Sequence, residues 1–344
     1  MPEIIRNTLY VTTQGAYLHV DHEVLKVEIE QQTRLAVPIH HLESVALFGN
    51  VMVSPGALRK CADAGIAVTF LSENGRLLAR VDAPQSGNVL LRREQFRCAD
   101  RPEVCLAIAR TCIAGKIHNA RALLQRSARE SEDERDRAAL ENAAAALALA
   151  LASVGGATSL DSVRGHEGSA AAAYFDAFNA MIRQQRDRFQ MNGRTRRPPL
   201  DRVNALLSFV YSMLLHDCTA ALTAAGLDPN VGFLHTDRPG RPGLALDLIE
   251  EFRPLVADRL VLAMINRRQV VADDFEERTG GAVLMTEPAR KKVIAAYQQR
   301  KQEQIRHPLL DVTVPFGRLP FLQAMLLARA IRAEFDAYPA LVLK

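Results

Sequence analysis

Four residues between positions 165 and 250 carry side chains of the right type and spacing to hold a metal ion. Glu167 lies in the motif GHEG, immediately ahead of an alanine-rich stretch that favours a helix. His235 follows the turn residues 228–230 and a short apolar segment. Asp247 and Glu250 are three residues apart, so a helix would direct both carboxylates the same way. The neighbours of this pair are apolar, and burying two carboxylates is costly unless a cation compensates them.

A donor set of carboxylates and one imidazole suits Mg²⁺ or Mn²⁺ and suits a structural zinc ion poorly. Three protein ligands leave coordination positions open for water and phosphate oxygens, so such an ion can polarise a phosphodiester. A second interpretation stays open at this point. His235 would then be an ordinary polar residue, and the acidic pair would form ion pairs with Arg253 or Arg259.

Arginine is concentrated in one segment of the chain. Residues 183–202 hold seven arginines and two aspartates, with no lysine or glutamate, although the whole chain carries a net charge of only +4. Guanidinium groups match the geometry of phosphate oxygens, so this segment is a candidate for nucleic-acid contact. A solvated helix end and loop would have the same composition.

The pattern of apolar residues predicts an α+β protein, with a small N-terminal β-domain joined by a linker to a larger all-helical domain. Residues 24–30 alternate apolar and charged side chains, as a half-buried strand does. The predicted domains are a β-strand domain over 1–82, a linker over 83–97 and a helical catalytic domain over 98–344.

Several protein classes are disfavoured by the composition. No run of 18 apolar residues occurs, and the N-terminus lacks the basic and apolar regions of a secretory signal. Five cysteines without a Cys-x-x-Cys pair indicate neither a disulfide framework nor a zinc knuckle. The sequence therefore predicts a cytoplasmic protein that does not bind membranes.

Local signals predict how the helix after the arginine segment begins and ends. Pro198 and Pro199 forbid a helix just before Asp201, which makes Asp201 a good N-cap. Gly226 suits the C-terminal cap of the same helix. We expect the turn that follows to bring His235 back toward Glu167.

Two long motifs and one short one closely resemble those of the CRISPR-associated integrase family, the universal first subunit of the spacer-acquisition machinery. Residues 226–254 read GLDPNVGFLHTDRPGRPGLALDLIEEFRP, which is similar to the family's metal-site region. Residues 194–214, RTRRPPLDRVNALLSFVYSML, match its PPxDxxNxLLSFxY pattern, with Val210 where the family usually has glycine. The GHEG motif resembles the segment that holds its first acidic ligand. The layout of a small N-terminal β-domain, a linker and a larger helical domain also agrees with the family, so the likeness spans essentially the whole chain.

The resemblance implies a role for each candidate residue. Glu167, His235 and Glu250 would hold Mg²⁺ or Mn²⁺, and Asp247 would orient a ligand or bind a second ion. Tyr211 would be a substrate-side contact or a core aromatic residue. The arginines in the loops that bracket the motifs would contact DNA phosphates or simply face solvent: Arg194, Arg196, Arg197, Arg238 and Arg241.

The resemblance also implies an activity and partners. The enzyme would direct a 3′-hydroxyl of a short double-stranded DNA fragment, the protospacer, at a phosphodiester in the CRISPR repeat. It would act as a homodimer joined through the β-domain, with a small companion subunit of ferredoxin-like fold. Two alternatives stay open: a stand-alone metal-dependent nuclease on branched DNA, and a non-catalytic DNA-binding scaffold.

Overall fold

A computed structural model describes residues 7–81, 88–196 and 198–343. The chain divides into two compact units, of which unit 1 comprises residues 7–81 and 285–294 and unit 2 the remaining described residues. Unit 1 is rich in strands and unit 2 in helices, which confirms the predicted α+β class.

Unit 1 contains two four-stranded sheets whose apolar faces form one core. Their strand orders are β1-β5-β7-β8 and β4-β3-β2-β6. Leu18 and Leu25 from one sheet join Val45 and Val68 from the other in a single buried cluster. The strands are β1 Asn7–Val11, β2 Tyr17–Asp21, β3 Val24–Ile29, β4 Gln32–Pro38, β5 Leu42–Phe48, β6 Met52–Val53, β7 Ala67–Leu71 and β8 Leu77–Val81.

One helix, α1 (Pro55–Asp63), interrupts the strands of unit 1. Its N-cap is Ser54, whose hydroxyl accepts a hydrogen bond from the amide of Ala57 at 3.1 Å. Proline at the first helical position costs no hydrogen bond, because that amide has no partner inside a helix. Each of these features follows from the local sequence.

Unit 2 is built mainly from helices. Three of them, α3, α4 and α5, pack on one another, and α3 also packs on α7. The helices are α2 Val89–Ala99, α3 Pro102–Arg129, α4 Glu134–Gly155, α5 Leu160–Asp176, α6 Arg202–Ala224, α7 Gly243–Phe252, α8 Arg259–Asn266, α9 Glu287–Gln302, which begins in unit 1, and α10 Leu319–Ile331. Two short hairpins pair β9 Phe275–Glu277 with β10 Val283–Met285 and β11 Gln304–Arg306 with β12 Thr313–Pro315.

The predicted linker over 83–97 differs from the structure. Residues 83–87 lie outside the described residues, and Val89–Ala99 form α2 rather than an extended connection. Gln95 of this helix is fully buried, and its amide donates hydrogen bonds to the carbonyls of Asp228 and Val231 at 2.8 and 2.9 Å. A polar side chain that satisfies backbone groups from a distant loop leaves no trace in the local apolar pattern. The unit boundary therefore falls earlier than the predicted end of the linker.

A π-helical segment, Arg253–Asp258, joins α7 to α8. Pro254 has no amide hydrogen and would clash with the carbonyl four residues earlier in a regular helix. The wider π turn accommodates the proline without ending the helix. Arg253 and Asp258, at the two ends of this segment, are thereby directed into the interior.

Glu251, at the end of α7, is the centre of a buried hydrogen-bond network. Its carboxylate accepts hydrogen bonds from the hydroxyl of Tyr338 (2.6 Å), the amide of Gln323 (3.0 Å) and the backbone of Leu341 (2.6 Å). Burial raises the pKa of Glu251 to about 7. This network ties the C-terminal segment of the chain to α7.

Asp258 forms a second buried polar cluster with two tyrosines. The hydroxyls of Tyr174 and Tyr211 lie 2.9 and 2.5 Å from its two carboxylate oxygens. Burial raises the pKa of Asp258 to about 6, although hydrogen bonds from both tyrosines oppose this change.

Two helices, α4 and α6, are long and apolar enough to cross a membrane by length and composition alone. In α6, 61% of the most apolar window is buried inside the structure, and α4 packs against α3 and α5. The burial of α6 is typical of a core helix, whereas 28% of the corresponding window of α4 is buried; one or two such helices among the described residues are weak evidence for a membrane protein.

We expect Glu251→Ala to lower the free energy of unfolding by about 3 kcal/mol, because it leaves two buried donors, the hydroxyl of Tyr338 and the amide of Leu341, without an acceptor. Urea denaturation measures this change. Glu334→Ala, which removes exposed ion pairs with Arg329 and Arg332, serves as the control and should cost less than about 0.5 kcal/mol. Equal effects of the two substitutions would contradict the role assigned to the buried network.

The pKa of Asp258 predicts a pH-dependent stability. Its ordinary value of 3.8 rises to about 6 on folding, so the protonated group stabilises the protein fully below pH 3.8 and this contribution is lost as the pH rises through 6. The Asp258→Asn variant has no titratable group at this position. We expect the stability of wild type relative to this variant to fall by up to about 3 kcal/mol between pH 4 and pH 7. Chemical denaturation at several pH values checks this, and a constant difference would disprove it.

Candidate metal centre

Glu167 lies in the interior of α5, rather than ahead of a helix as its sequence context suggested. The helix begins after Ser159, whose hydroxyl caps the amide of Ser162. Arg164, one turn before Glu167, donates a hydrogen bond to the carbonyl of Leu234 at 2.7 Å. Because Leu234 directly precedes His235, this contact joins the helix of the first acidic residue to the loop of the histidine.

The loop between α6 and α7 approaches the start of α7 very closely. A Cβ atom at Gly232 would lie 2.7 Å from a backbone atom of Gly243, and a Cβ at Gly243 would lie 2.7 Å from the carbonyl oxygen of Asn230. The carbonyl of Pro229 accepts hydrogen bonds from the first amides of α7, at Leu244 (3.0 Å) and Ala245 (3.2 Å). Glycine at both positions is therefore required for His235 to lie beside α7.

Asp247 binds the His235 loop with both carboxylate oxygens. One accepts hydrogen bonds from the amides of Phe233 (2.6 Å) and Leu234 (3.0 Å), and the other from the amide of His235 (3.0 Å). The second oxygen also lies 2.6 Å from Nδ1 of His235. Since a carboxylate only accepts, Nδ1 carries the proton and Nε2 is the nitrogen left to bind a ligand. This geometry is that of a residue that orients the imidazole.

Glu250 and Glu167 share one cation, the ammonium group of Lys116 on α3. Its Nζ lies 2.7 Å from Oε2 of Glu250 and also forms an ion pair with Oε1 of Glu167. Arg253 lies 3.2 Å from the other oxygen of Glu250. Burial alone would raise the pKa of Glu250, but the charges of Arg253 and Lys116 outweigh it and lower the pKa to about 2. Glu250 is thus a buried carboxylate that stays charged at neutral pH.

Among the described residues, no three His, Cys, Asp or Glu side chains already converge closely enough to cage a metal ion. The donor set nevertheless fits a divalent cation. Glu167 and Glu250 already place two carboxylates around one positive charge, and Oε2 of Glu250 is buried without an aligned hydrogen bond. The imidazole of His235 has Nδ1 bound to Asp247 and Nε2 available, and it lies near Glu250.

Two of the predicted DNA-contact residues are engaged inside unit 2. The guanidinium of Arg194 donates a hydrogen bond to Oδ1 of Asn204 at 2.6 Å and lies 5.4 Å from the ring centre of Tyr211. Arg253 lies 5.0 Å from the same ring, and the hydroxyl of Tyr211 is bound to Asp258. Tyr211 thus lies between two cations, and it is half-buried and lines a cavity together with Lys116 and Glu167, so both interpretations of Tyr211 stay open.

The other predicted arginines lie closer to solvent. Arg196 is exposed and lines a cavity with Lys116 and Glu167, whereas Arg238 and Arg241 lie in the turn between His235 and α7. Arg197 lies outside the described residues.

Sequence reasoning missed two residues that contact the acidic cluster or its loop. Lys116 lies 51 residues before Glu167, and nothing in the α3 sequence distinguishes it from a surface lysine. Arg164 is three residues before Glu167, and nothing in the sequence indicates its partner, the carbonyl of Leu234. Arg253 is predicted from the sequence only as a possible ion-pair partner of Asp247 and Glu250. It does form an ion pair with Glu250.

The chain matches the family model described as CRISPR associated protein Cas1 over residues 9–299. It is 49% identical to a CRISPR-associated endonuclease Cas1 of Chlorobaculum tepidum over 336 residues, which cover 98% of each chain. A chain in the structure of a Cas6-RT-Cas1–Cas2 complex is 25% identical with a TM-score of 0.84; the match covers 99% of this chain and 37% of that one. A casposase bound to its integration product shares the fold, with a TM-score of 0.83 at 21% identity over 98% of this chain and 94% of that one. The chain belongs to the Cas1 family of CRISPR-associated proteins.

Proposed function

We propose that this protein is a metal-dependent DNA integrase and endonuclease of CRISPR adaptation, which inserts short DNA fragments into the repeat array. The observation that carries the proposal is the cluster of Glu167 and Glu250 around one cation, beside an imidazole held in a single orientation by Asp247. Such a cluster is suited to phosphodiester chemistry rather than to structural support, since it joins two carboxylates at high electrostatic cost.

Glu167, Glu250 and Nε2 of His235 are the groups that would hold Mg²⁺ or Mn²⁺. Either ion, when bound, would polarise a phosphodiester and stabilise the oxygen anions of a transesterification. Asp247 keeps the imidazole in the tautomer that can bind a cation. Lys116 compensates the two carboxylates before the ion arrives, and its flexible side chain lets the ammonium move away.

Double-stranded DNA is the proposed substrate, both as the protospacer and as the CRISPR repeat. Arg196, Arg238 and Arg241 are proposed phosphate contacts, because each is at least partly exposed and forms no ion pair in the described part of the chain. A solved complex that includes a related Cas1 chain also contains Cas2, which supports a companion subunit, here proposed to have a ferredoxin-like fold. We also propose that two copies of the chain form a homodimer through the strands of unit 1.

Two other functions are supported by particular observations. The curated relative is named an endonuclease, which supports a stand-alone nuclease that uses water instead of a sugar hydroxyl. The compensation of Glu250 by Lys116 and Arg253 supports a DNA-binding scaffold whose acidic cluster needs no metal ion. Binding of Mn²⁺ separates the scaffold from both enzymes, and joining of DNA separates the integrase from the nuclease.

We expect His235→Ala and Glu250→Ala each to reduce joining of a labelled short duplex to a repeat-bearing plasmid by at least about 100-fold, because each removes a proposed metal ligand. The assay contains the companion subunit and Mn²⁺. Glu141→Ala, on an exposed position of α4, is the control and should join DNA like wild type. Cleavage without joining by wild type would indicate the nuclease, and joining that survives both substitutions would refute the proposed ligands.

Lys116→Met tests whether Lys116 stabilises the metal-free protein without taking part in metal binding. We expect Lys116→Met to destabilise the metal-free protein by about 3 kcal/mol, because Glu167 loses its cation and the buried Glu250 keeps only Arg253. Mn²⁺ should then bind at least as tightly as in wild type and restore most of the loss. Denaturation with and without Mn²⁺ measures the stability, and calorimetric titration measures the affinity for Mn²⁺. Lys291→Met, which breaks an exposed helical ion pair with Glu287, is the control; a lower Mn²⁺ affinity of Lys116→Met would contradict this role.

A further inference from the structure

The last described residues of the chain, 338–343, form a segment that lies partly in the interior of unit 2. Tyr338 and Leu341 are its buried side chains, with 3% and 0% of their surfaces exposed. The segment belongs to no helix or strand, so other groups must satisfy its backbone where it is buried. We call residues 338–343 the C-terminal strap.

Asn119 of α3 binds the backbone of the strap through both ends of its amide group. The buried side chain donates a hydrogen bond to the carbonyl of Leu341 at 2.8 Å and accepts one from the amide of Leu343 at 3.2 Å. The same nitrogen also donates to the backbone carbonyl of Glu251 at 3.0 Å. One side chain therefore joins α3, α7 and the strap.

Gly115, one turn before Asn119, lies where the same three elements approach most closely. A Cβ atom at this position would lie 3.0 Å from Cβ of Ala340 and 3.5 Å from Cγ of Glu251. Glycine weakens the interior of a helix, so its presence in α3 calls for a reason in the packing. The close approach of the strap and α7 supplies that reason.

The strap is held by polar side chains from three helices. Glu251 of α7 accepts hydrogen bonds from the hydroxyl of Tyr338 and the amide of Leu341, and Gln323 of α10 donates one to the carbonyl of Pro339 at 3.0 Å. Asn119, Glu251 and Gln323 are all buried. Buried polar groups that are fully hydrogen-bonded specify one arrangement of the elements that carry them.

The residues next to Gly115 and Glu251 in the sequence belong to the acidic cluster. Lys116 follows Gly115, Glu250 precedes Glu251, and Nζ of Lys116 lies 2.7 Å from Oε2 of Glu250. Consecutive residues of a helix point about 100° apart, so α3 and α7 each present one face to the strap and an adjacent face to the cluster. A change in the spacing of the two helices at the strap would therefore move Lys116 relative to Glu250.

We propose that the C-terminal strap is a positioning element of the acidic cluster, which fixes α7 against α3 and thereby holds Glu250 in place for a divalent cation. The inference rests on the proposed metal-dependent function and adds Tyr338 and Leu341 to it as positioning residues. A metal site needs its ligands within about 0.5 Å of the productive geometry. The strap supplies this support from outside the cluster, where it does not compete with the ion.

The test uses the full-length double variant Tyr338→Phe and Leu341→Ala. Phenylalanine keeps the ring and removes the donor to Glu251, and alanine removes the apolar side chain but keeps the backbone amide. We expect affinity for Mn²⁺, measured by calorimetry where circular dichroism shows the variant folded, to fall roughly 10-fold, as removal of groups that orient metal ligands does. The single variant Tyr338→Phe should show a smaller loss in the same direction.

Phe189→Leu is the matched control for a general loss of stability. Phe189 is buried in unit 2 and packs on Phe275 with 5.7 Å between ring centres, and it takes no part in the strap contacts described above. We expect this variant to unfold more easily than wild type and to bind Mn²⁺ with wild-type affinity. Wild-type affinity in the double variant would overturn the proposal, and so would an equal loss of affinity in Phe189→Leu.

A second measurement requires no metal ion. A double-mutant cycle with Lys116→Met and Glu250→Gln gives the coupling between these two residues from denaturation of the metal-free protein. We expect the coupling to be at least halved in the Tyr338→Phe background, because the strap then holds the two helices less firmly. Unchanged coupling would overturn the role of the strap. If wild type bound no Mn²⁺, the proposed metal-dependent function would fail, and the cycle alone would decide whether the strap positions the cluster.

Discussion

The carboxylate of Glu250 lies buried in unit 2 with only 4% of its side chain exposed, and it stays charged there because two cations, Lys116 and Arg253, lie against it. Much of the surrounding architecture follows from this requirement. Lys116 must come from α3, so α3 has to pack on α7, and the same ammonium reaches Glu167 on α5. One electrostatic constraint thus determines how three helices meet.

The helix formed by α7, the π segment and α8 carries several acidic groups whose environments differ. Asp247 is bound by backbone amides and an imidazole, Glu251 by a tyrosine, a glutamine and the C-terminal backbone, and Asp258 by two tyrosines. Burial without a neighbouring cation raises the pKa of Glu251 to about 7, whereas two neighbouring cations lower the pKa of Glu250, the preceding residue, to about 2. Adjacent residues of one type therefore have different environments: Glu251 binds the C-terminal segment, and Glu250 stays charged beside Lys116 and Arg253.

The acidic cluster and the arginine-lined cavity next to it use the same structural framework for opposite charges. The face of α3 that presents Lys116 adjoins the face that presents Arg126, and Pro254 lines both cavities. The π-helical segment that contains Pro254 contributes to both cavities. Arg253, at its start, lines the cavity beside Glu167, and Arg259, directly after it, lines the other.

Local sequence determined those features that depend on near neighbours. The period-two pattern of β3, the caps at Ser54 and Asp201 and the left-handed Gly226 are all set by residues within one turn of each other. The family motifs also identified the acidic residues and His235. Only the tertiary structure decided which charges meet. Lys116 and Arg259 look like ordinary surface residues in the sequence, because their environments depend on groups that are tens to more than a hundred residues away and are brought close only by folding.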